Sequence, residues 1–334
     1  MKSKCKILKG KEYIFENNRP FLSCHASTLV ELDNGDTLAA WFGGTAEKNP
    51  DTAIWHSRRK DGKWSYPEVL ADEKGIALWN PVLFNAPDGR IFLYYKVGEN
   101  TNEWHTKYII SSDNGISWTD PGELVPGDIG GRGPVKNKPV VLHDGTWLAP
   151  ASVESKYWDS FVDITADGGR TWTAASLVPI NHGKFCGKGV IQPTIWESEP
   201  NRVHMLLRST SGRIYRSDSE DGGRTWCEIY ETSLPNNNSG IDAAKLDDGS
   251  IALVYNPVGK NWGPRTPLVV SLSKDNGTTW PYTCVLEYEE GEYSYPAIVA
   301  RGDEISITYT WKRERIAYVR CTVEDILACR EHEA

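Results

Sequence analysis

The sequence predicts an all-β protein, a six-bladed β-propeller with four-stranded antiparallel blades, and three observations lead to it. A turn motif that ends in tryptophan recurs at a fixed spacing, short strand patterns fill each interval, and the 334 residues hold about six intervals. A single sheet of this size cannot bury both of its faces alone, so such sheets pack radially around a common axis. We expect residues 1–334 to form one propeller domain.

The repeated motif reads Ser/Thr-x-Asp-x-Gly-x-Ser/Thr-Trp. Its four full copies end 54 residues apart, at Trp118, Trp172, Trp226 and Trp280. A degenerate copy, which keeps Asp-Gly and the tryptophan, ends one interval earlier at Trp64. In such a motif the aspartate accepts backbone N–H bonds, the glycine adopts a positive φ and the tryptophan packs between blades. We therefore expect these aspartates to stabilise turns and not to take part in chemistry.

Each interval contains four short strand patterns, which are clearest in the second unit. Its strands read NPVLF, IFLYYKV and TKYIISS, and a short fourth strand follows the DNG turn. The second strands of the other units are predicted at 37–42, 146–151, 202–207, 250–255 and 304–310. The sixth unit lacks the turn motif. We expect a strand from the N-terminal residues to complete it and to close the ring.

Composition and charge disfavour several classes of function. With 39% hydrophobic and 25% charged residues, the chain is typical of a globular protein. The 37 Lys+Arg against 45 Asp+Glu give a formal net charge of -8, which disfavours nucleic acid and anionic membranes as partners. The chain offers neither a run of about 18 uncharged apolar residues nor the apolar core of a signal peptide. We expect a cytoplasmic protein.

The cysteines and histidines do not form a recognisable metal site. The seven cysteines are scattered, without a CxxC pair or a Cys/His cluster at zinc spacing. We interpret them as reduced thiols, and we expect neither a metal nor a cofactor.

The first strands of the blades predict a set of polar residues around the axis. The innermost strands of a propeller run beside its axis, so residues at one end of them line a shared funnel. Aligning these strands by the turn that follows gives one polar residue per blade: His25, Asn80, Lys138, Gln192, Asp242 and Tyr295. Ends of second strands add two tryptophans, Trp41 and Trp311, which are candidates to stack on a sugar ring.

The chemistry of this set points to acid/base catalysis on an anionic ligand. His25, Asp242 and Tyr295 can exchange protons, and Lys138 can help to hold an anion. Each of these residue types also occurs at ordinary strand ends, in a solvated or hydrogen-bonded role.

The repeated turn on successive blades resembles the Asp-box, or bacterial neuraminidase repeat, of the sialidase superfamily. The likeness covers nearly the whole chain, and segments such as IQPTIWE and NNNSGIDAAKLDDGS resemble an intracellular bacterial branch of that superfamily. Sialidases bind the substrate carboxylate with three arginines, attack with a tyrosine assisted by a glutamate, and use an aspartate as acid/base. A guanidinium group can form a bidentate pair with a carboxylate. A neutral tyrosine, unlike a carboxylate nucleophile, is not repelled by the substrate carboxylate.

The resemblance assigns four positions in this chain. HMLLRS places Arg208 at the second arginine, and GPRTPLVV places Arg265 at the third. EYSYPAI offers Tyr293 as the nucleophile, with Tyr295 close behind. By its distance from the first blade's second strand, Asp51 in GGTAEKNPDTAIW corresponds to the acid/base.

Two positions depart from the family pattern. The first blade reads CHASTL, so His25 or Ala26 stands where the first arginine belongs, and Arg313 or Arg315 is a candidate to replace it. Gln192 stands at the position of the assisting glutamate, and an amide cannot act as a base.

Taken together, the residues favour an exo-acting glycoside hydrolase whose partner is a small acidic carbohydrate, sialic acid or a relative. Two alternatives stay open. One is a lyase that cleaves uronate-linked sugars by β-elimination, with His25 as base and Lys138 as carboxylate neutraliser. The other is a carbohydrate-binding propeller without catalysis, which the two departures would also explain.

Overall fold

A computed structural model describes residue 8 and residues 10–329, and it confirms the six-bladed antiparallel propeller. The chain begins with β1 (Glu12–Tyr13). The first blade contains β2 (Ser23–Glu31), β3 (Thr37–Gly44), β4 (Ala53–Lys60), β5 (Lys63–Trp64) and β6 (Glu68–Ala71). The second contains β7 (Leu78–Asn85), β8 (Ile91–Val97), β9 (His105–Ser111) and β10 (Gly122–Glu123).

The third, fourth and fifth blades each contain four consecutive strands. The third contains β11 (Val140–Val141), β12 (Trp147–Glu154), β13 (Trp158–Thr165) and β14 (Thr173–Ala174). The fourth contains β15 (Val190–Glu199), β16 (Arg202–Ser209), β17 (Arg213–Ser219) and β18 (Tyr230–Pro235). The fifth contains β19 (Asp242–Lys245), β20 (Ile251–Tyr255), β21 (Leu268–Ser273) and β22 (Tyr282–Glu287).

The sixth blade joins the two ends of the chain. Its strands are β23 (Tyr293–Arg301), β24 (Glu304–Trp311), β25 (Arg315–Thr322) and β1 from the N-terminal region. The pairing of Glu12 with Tyr318 attaches β1 to β25. The predicted closure of the ring by an N-terminal strand is therefore confirmed.

The repeated turns are held by hydrogen bonds from their own backbone. The carboxylate of Asp113 accepts from the backbone N–H groups of Ile116 and Ser117 at 3.1 and 2.9 Å. Asp167, Asp221 and Asp275 make equivalent bonds in their own turns. These bonds account for the aspartates as turn residues, as predicted.

Four of the six first strands carry the same irregularity. Their register against the second strand shifts by one residue near the bulged positions Ala26, Asn80, Gln192 and Tyr295. Each of these residues has a positive φ, between 41 and 55°. Such a bulge redirects a side chain and often occurs beside a functional site. The four bulges lie at the same end of the axis.

The C-terminal end of the described chain is a short helix, α1 (Val323–Leu327), capped by the side chain of Thr322. Just beyond it, Cys329 is joined to Cys284 of β22 in a disulfide, with Cα atoms 5.5 Å apart. The prediction that the cysteines are all reduced thiols is therefore wrong for this pair. Four other cysteines are free: Cys24, Cys186, Cys227 and Cys321. Cys5 lies outside the described residues.

Within the described part of the chain, no helix has both the length and the apolar character needed to cross a membrane. Over the same residues, no three His, Cys, Asp or Glu side chains are grouped so that they could hold a metal ion.

Candidate functional site

A cavity of about 390 Å³ opens at the end of the axis where the bulges lie. His25, Asn80, Gln192 and Tyr295 line it from the first strands. Its other charged and aromatic lining side chains are Arg208, Arg265, Arg313, Glu47, Lys48, Glu154, Trp79, Trp104, Trp158 and Trp262. The structure thus brings together seven of the residues singled out in the sequence. A second cavity, of about 730 Å³, lies at the opposite end of the axis.

Arg208 is the most buried of the three arginines in the cavity. It lies on β16 opposite Ile191, immediately before the bulge at Gln192. Its Nη1 donates to Tyr295 Oη at 2.8 Å and to Gln192 Oε1 at 2.9 Å, and its Nε donates to Asn238 at 2.8 Å. These bonds hold one guanidinium group rigidly beside Tyr295.

Arg265 and Arg313 share one carboxylate, that of Glu292. Arg265 Nη1 lies 2.6 Å and Arg313 Nε 3.0 Å from Glu292 Oε1. Burial opposes ionisation of Glu292, but the charges of Arg265 and Arg313 lower its pKa below the ordinary value overall. Glu292 therefore stays ionised and holds the two guanidinium groups in the same cavity as Arg208. Its role was not predicted, although it directly precedes Tyr293.

Arg313 lies on the side of the cavity where the first blade lacks its arginine. It belongs to the turn between β24 and β25, with φ at 56°, and its carbonyl accepts from the backbone N–H of Cys24 at 2.9 Å. It is thereby tied beside His25. Arg315, the other candidate, does not line the cavity, and its Nη2 donates to Asn17 at 2.6 Å.

Tyr295 lies among positive groups and polar donors. Gln192 Nε2 lies 3.4 Å from its hydroxyl, in addition to the bond from Arg208. The guanidinium carbons of Arg208 and Arg265 lie 5.8 and 5.7 Å from its ring centroid. Among the described residues, the groups that contact this hydroxyl can stabilise negative charge on it, and none of them is a carboxylate.

His25 packs against Tyr295, with ring centroids 4.3 Å apart. Its Nδ1 lies 2.9 Å from Thr310 Oγ1. Burial, and then the charges of Arg313 and Arg265, lower the pKa of His25 well below its usual value of 6.5. The imidazole is therefore neutral at pH 7.

The two tyrosine candidates have different environments. Tyr293 is fully buried in the core between the fifth and sixth blades and does not line the cavity. Its hydroxyl has no hydrogen-bond partner within the described residues, and burial raises its pKa to about 12. Of the pair, the geometry therefore places Tyr295, and not Tyr293, where it can meet a ligand.

Asp51 does not line the cavity. Its exposed carboxylate accepts from the backbone N–H of Thr45 at 2.9 Å and also from the Thr45 hydroxyl, and these bonds lower its pKa. The carboxylate that this loop directs to the cavity is that of Glu47, which pairs with Arg313 Nη1 at 2.6 Å. Of the acidic residues in this loop, Glu47 and not Asp51 therefore lines the cavity.

Lys138 and Asp242 do not reach this cavity, because the alignment of the first strands is off by two residues in the third and fifth blades. In the fifth blade Asp242 pairs with Val254, just as in the second blade Val82 pairs with Tyr94. Asp242 therefore corresponds to Val82, which lies two residues beyond Asn80. Lys138 Nζ lies 3.0 Å from the Asp242 carboxylate and faces the opposite cavity. Lys138 is followed by a proline, as Asn80 and Gln192 are in the bulged strands, but β11 contains no such bulge.

Lys136 lies on the axis close to Tyr295 and was not predicted. Its Nζ donates to the carbonyl of Ile241 at 2.9 Å, to Asn137 Oδ1 at 2.8 Å and to the carbonyl of Pro296. Burial lowers the pKa of Lys136 to about 7. The only feature of the sequence that could have indicated Lys136 is its position two residues before Lys138.

The tryptophans proposed to stack on a sugar are also placed elsewhere. Trp41 is fully buried and packs on Phe15, with ring centroids 4.9 Å apart. Trp311 packs on Tyr13 at 5.3 Å and does not line the cavity. Four other tryptophans line it instead: Trp79, Trp104, Trp158 and Trp262. Trp262 is 64% exposed, at the rim.

Comparison with known proteins finds sialidases. A sialidase of Clostridium perfringens is 27% identical over 149 residues, which are 39% of this chain and 36% of that protein. The chain spans about a third of the length of the curated relatives it matches.

Solved structures extend the likeness to almost the whole chain. A Hadza microbial sialidase superposes with a TM-score of 0.79 at 16% identity, over 95% of this chain and 69% of that one. An intramolecular trans-sialidase from Ruminococcus gnavus, in complex with oseltamivir carboxylate, superposes with a TM-score of 0.73 at 16% identity. The superposition covers 94% of this chain and 97% of that one. At this identity the likeness shows the fold.

The family is shown by a match over most of the sequence. The model of a family described as a BNR repeat-like domain matches residues 35–307. Those residues include all five tryptophan-terminated turns and the strands that carry Arg208 and Tyr295. The chain therefore belongs to the BNR repeat-like domain family.

Proposed function

We propose that this protein is a glycoside hydrolase that acts on a sugar bearing a carboxylate, sialic acid or a close relative. The observation that carries the proposal is the convergence of Arg208, Arg265 and Arg313 on one cavity, beside the hydroxyl of Tyr295. Three guanidinium groups suit a carboxylate, and their charges favour a developing phenolate. The relatives that are named sialidases support the same substrate class.

In the proposed reaction the arginines bind the carboxylate and Tyr295 attacks the anomeric carbon. Gln192 has no basic group to receive the phenolic proton, which passes to solvent, and Arg208 stabilises the phenolate that attacks. Asn80 and the tryptophans contact the rest of the sugar and exclude water.

The first test is turnover of a fluorogenic α-sialoside by the purified protein. Release of the fluorophore supports the proposal. If the protein binds free sialic acid but does not release the fluorophore, the carbohydrate-binding alternative is supported instead. Failure to bind or cleave would exclude sialic acid as the acidic sugar.

Replacing Arg313 with alanine is expected to weaken binding of free sialic acid about 10- to 100-fold. A hydrogen bond to a charged group contributes about 1.5–3 kcal/mol, which corresponds to this range. Titration calorimetry at constant ionic strength measures the loss. Arg315→Ala is the matched control, because Arg315 lies two residues away and outside the cavity, and it should bind as the unaltered protein does. Equal weakening in both variants would contradict a specific role for Arg313.

The contacts of Tyr295 favour β-elimination of a uronate-linked sugar as the second candidate. A uronate lyase needs a cation beside the carboxylate and a histidine or tyrosine that removes the α-proton. His25 is neutral and packs on Tyr295, and Gln192 replaces the carboxylate that a glycosidase tyrosine uses. An ultraviolet-absorbing unsaturated product from uronate oligosaccharides would identify the lyase.

A further inference from the structure

Glu154 is the carboxyl group in the cavity for which no partner is found in the described part of the chain. It ends β12 and is partly buried, and it lines the same cavity as Tyr295. Within residues 10–329, its carboxyl group has neither a hydrogen bond nor an ion pair. The other lining carboxylate, Glu47, is paired with Arg313 at 2.6 Å.

We infer that Glu154, and not an acid from the first blade, is the proton donor to the leaving group. The inference rests on the proposed hydrolase function and completes it with an acid/base residue. The carboxyl group of Glu154 has no partner among the described residues and can meet a leaving group in the cavity, whereas that of Glu47 is engaged by Arg313. Neither the family pattern nor the predicted funnel residues included this position.

The surroundings of Glu154 favour its protonated form more than water does. Burial raises its pKa most strongly, Arg208 and then Lys188 act in the opposite direction, and the charge of Glu47 raises it further, so that overall the pKa lies above its ordinary value. The two carboxyl groups that line the cavity thus have different surroundings: that of Glu47 pairs with Arg313, and that of Glu154 has no partner among the described residues.

Glu154 also lies on the reacting side of the cavity. Across β12 and β13 it pairs with Trp158, whose ring lies 5.6 Å from the guanidinium carbon of Arg208. Arg208 in turn donates to Tyr295 Oη at 2.8 Å. A glycoside held by the arginines therefore has Tyr295 and Glu154 within one small cavity.

The proposed reaction has two steps at the anomeric carbon. The bond between the anomeric carbon and the glycosidic oxygen breaks, that oxygen takes the proton of Glu154, and the alcohol leaves. Tyr295 Oη forms the new bond to the anomeric carbon and releases its proton to solvent. Water then attacks the same carbon, Glu154 receives one of its protons, and Tyr295 is released and regains a proton from solvent.

The test compares two glycosides of the same acidic sugar, one with a phenolic leaving group and one with an alkyl alcohol. A phenolate departs without help, whereas an alkoxide needs a proton, so loss of a general acid affects mainly the alkyl substrate. We expect Glu154→Gln to lower kcat on the alkyl glycoside about 10²- to 10⁴-fold and to change the phenolic substrate far less. Glu47→Gln is the control and should affect both substrates to the same degree.

The pH dependence of activity is a second readout. A purely structural role of Glu154 would leave it unchanged. The acid form of Glu154 is the active one, so activity on the alkyl glycoside should fall as pH rises through its raised pKa. In Glu154→Gln this fall should disappear. A variant that loses both substrates equally, or neither, overturns the inference while the hydrolase function stands. An unaltered protein that cleaves neither glycoside overturns both.

Discussion

Replacing Tyr295 with phenylalanine is expected to abolish turnover of an acidic glycoside, with kcat lowered about 10³- to 10⁶-fold. Removal of a covalent nucleophile is among the largest single effects in enzymes, because no neighbouring group forms the same bond. The phenylalanine ring keeps the packing against His25, where ring centroids lie 4.3 Å apart. Fluorophore release under saturating substrate measures kcat, and binding of the free sugar shows that the cavity is intact.

Tyr293→Phe is the matched control, because it removes the same hydroxyl two residues away. Tyr293 is fully buried and its hydroxyl has no partner among the described residues, so its loss leaves no donor or acceptor unpaired. We expect full activity and unchanged or slightly higher stability. If Tyr293→Phe loses turnover and Tyr295→Phe keeps it, the assignment of the nucleophile is reversed.

The fold could be predicted because its evidence is periodic. Each turn needs an aspartate acceptor, a glycine with a positive φ and a buried tryptophan, so the same letters recur wherever the same turn is built. Five copies at one spacing, in a chain long enough for about six intervals, indicate the number and order of the blades. The disulfide between Cys284 and Cys329 was missed because the two residues are 45 apart in sequence and belong to different elements.

The site could be predicted where a residue lies in a strand whose register is fixed by the repeat, or where the resemblance to a family assigns it. The aligned first strands located His25, Asn80, Gln192 and Tyr295, and the resemblance located Arg208 and Arg265. Lys138 and Asp242 were misplaced because a one-residue bulge, present in four first strands, is absent from β11 and β19. Side-chain spacing along a strand does not reveal where such bulges occur.

Residues on turns and loops were harder to place. Arg313 lies in a turn with a positive φ, and Glu47 extends from an irregular loop, so no periodic pattern gives their direction. Glu154 is at the end of a strand, and the role proposed for it depends on the absence of a partner for its carboxyl group among the described residues. Absence of an ion pair is a property of the assembled cavity and has no signal in a single sequence.

Asp242 is expected to be the residue of the predicted funnel whose loss costs the most stability. It is 2% exposed, and its carboxylate receives hydrogen bonds from Lys138 Nζ at 3.0 Å, Thr194 Oγ1 at 2.9 Å and the backbone N–H of Ile298 at 3.0 Å. These donors come from the third, fourth and sixth blades, while Asp242 belongs to the fifth. One carboxylate therefore joins four blades at the axis.

Replacing Asp242 with alanine should lower the free energy of unfolding by about 2–4 kcal/mol, because it leaves the buried Thr194 hydroxyl and Ile298 N–H, and the partly exposed Lys138, without their acceptor. Urea denaturation followed by tryptophan fluorescence measures the loss. Asp247→Ala is the matched control, since Asp247 is an exposed residue of the next turn, and it should stay within about 0.5 kcal/mol of the unaltered protein. Equal stability of the two variants would show that the blades do not depend on this carboxylate. A large loss confined to Asp242→Ala would establish that the polar axis, as well as the apolar contacts between blades, holds the ring together.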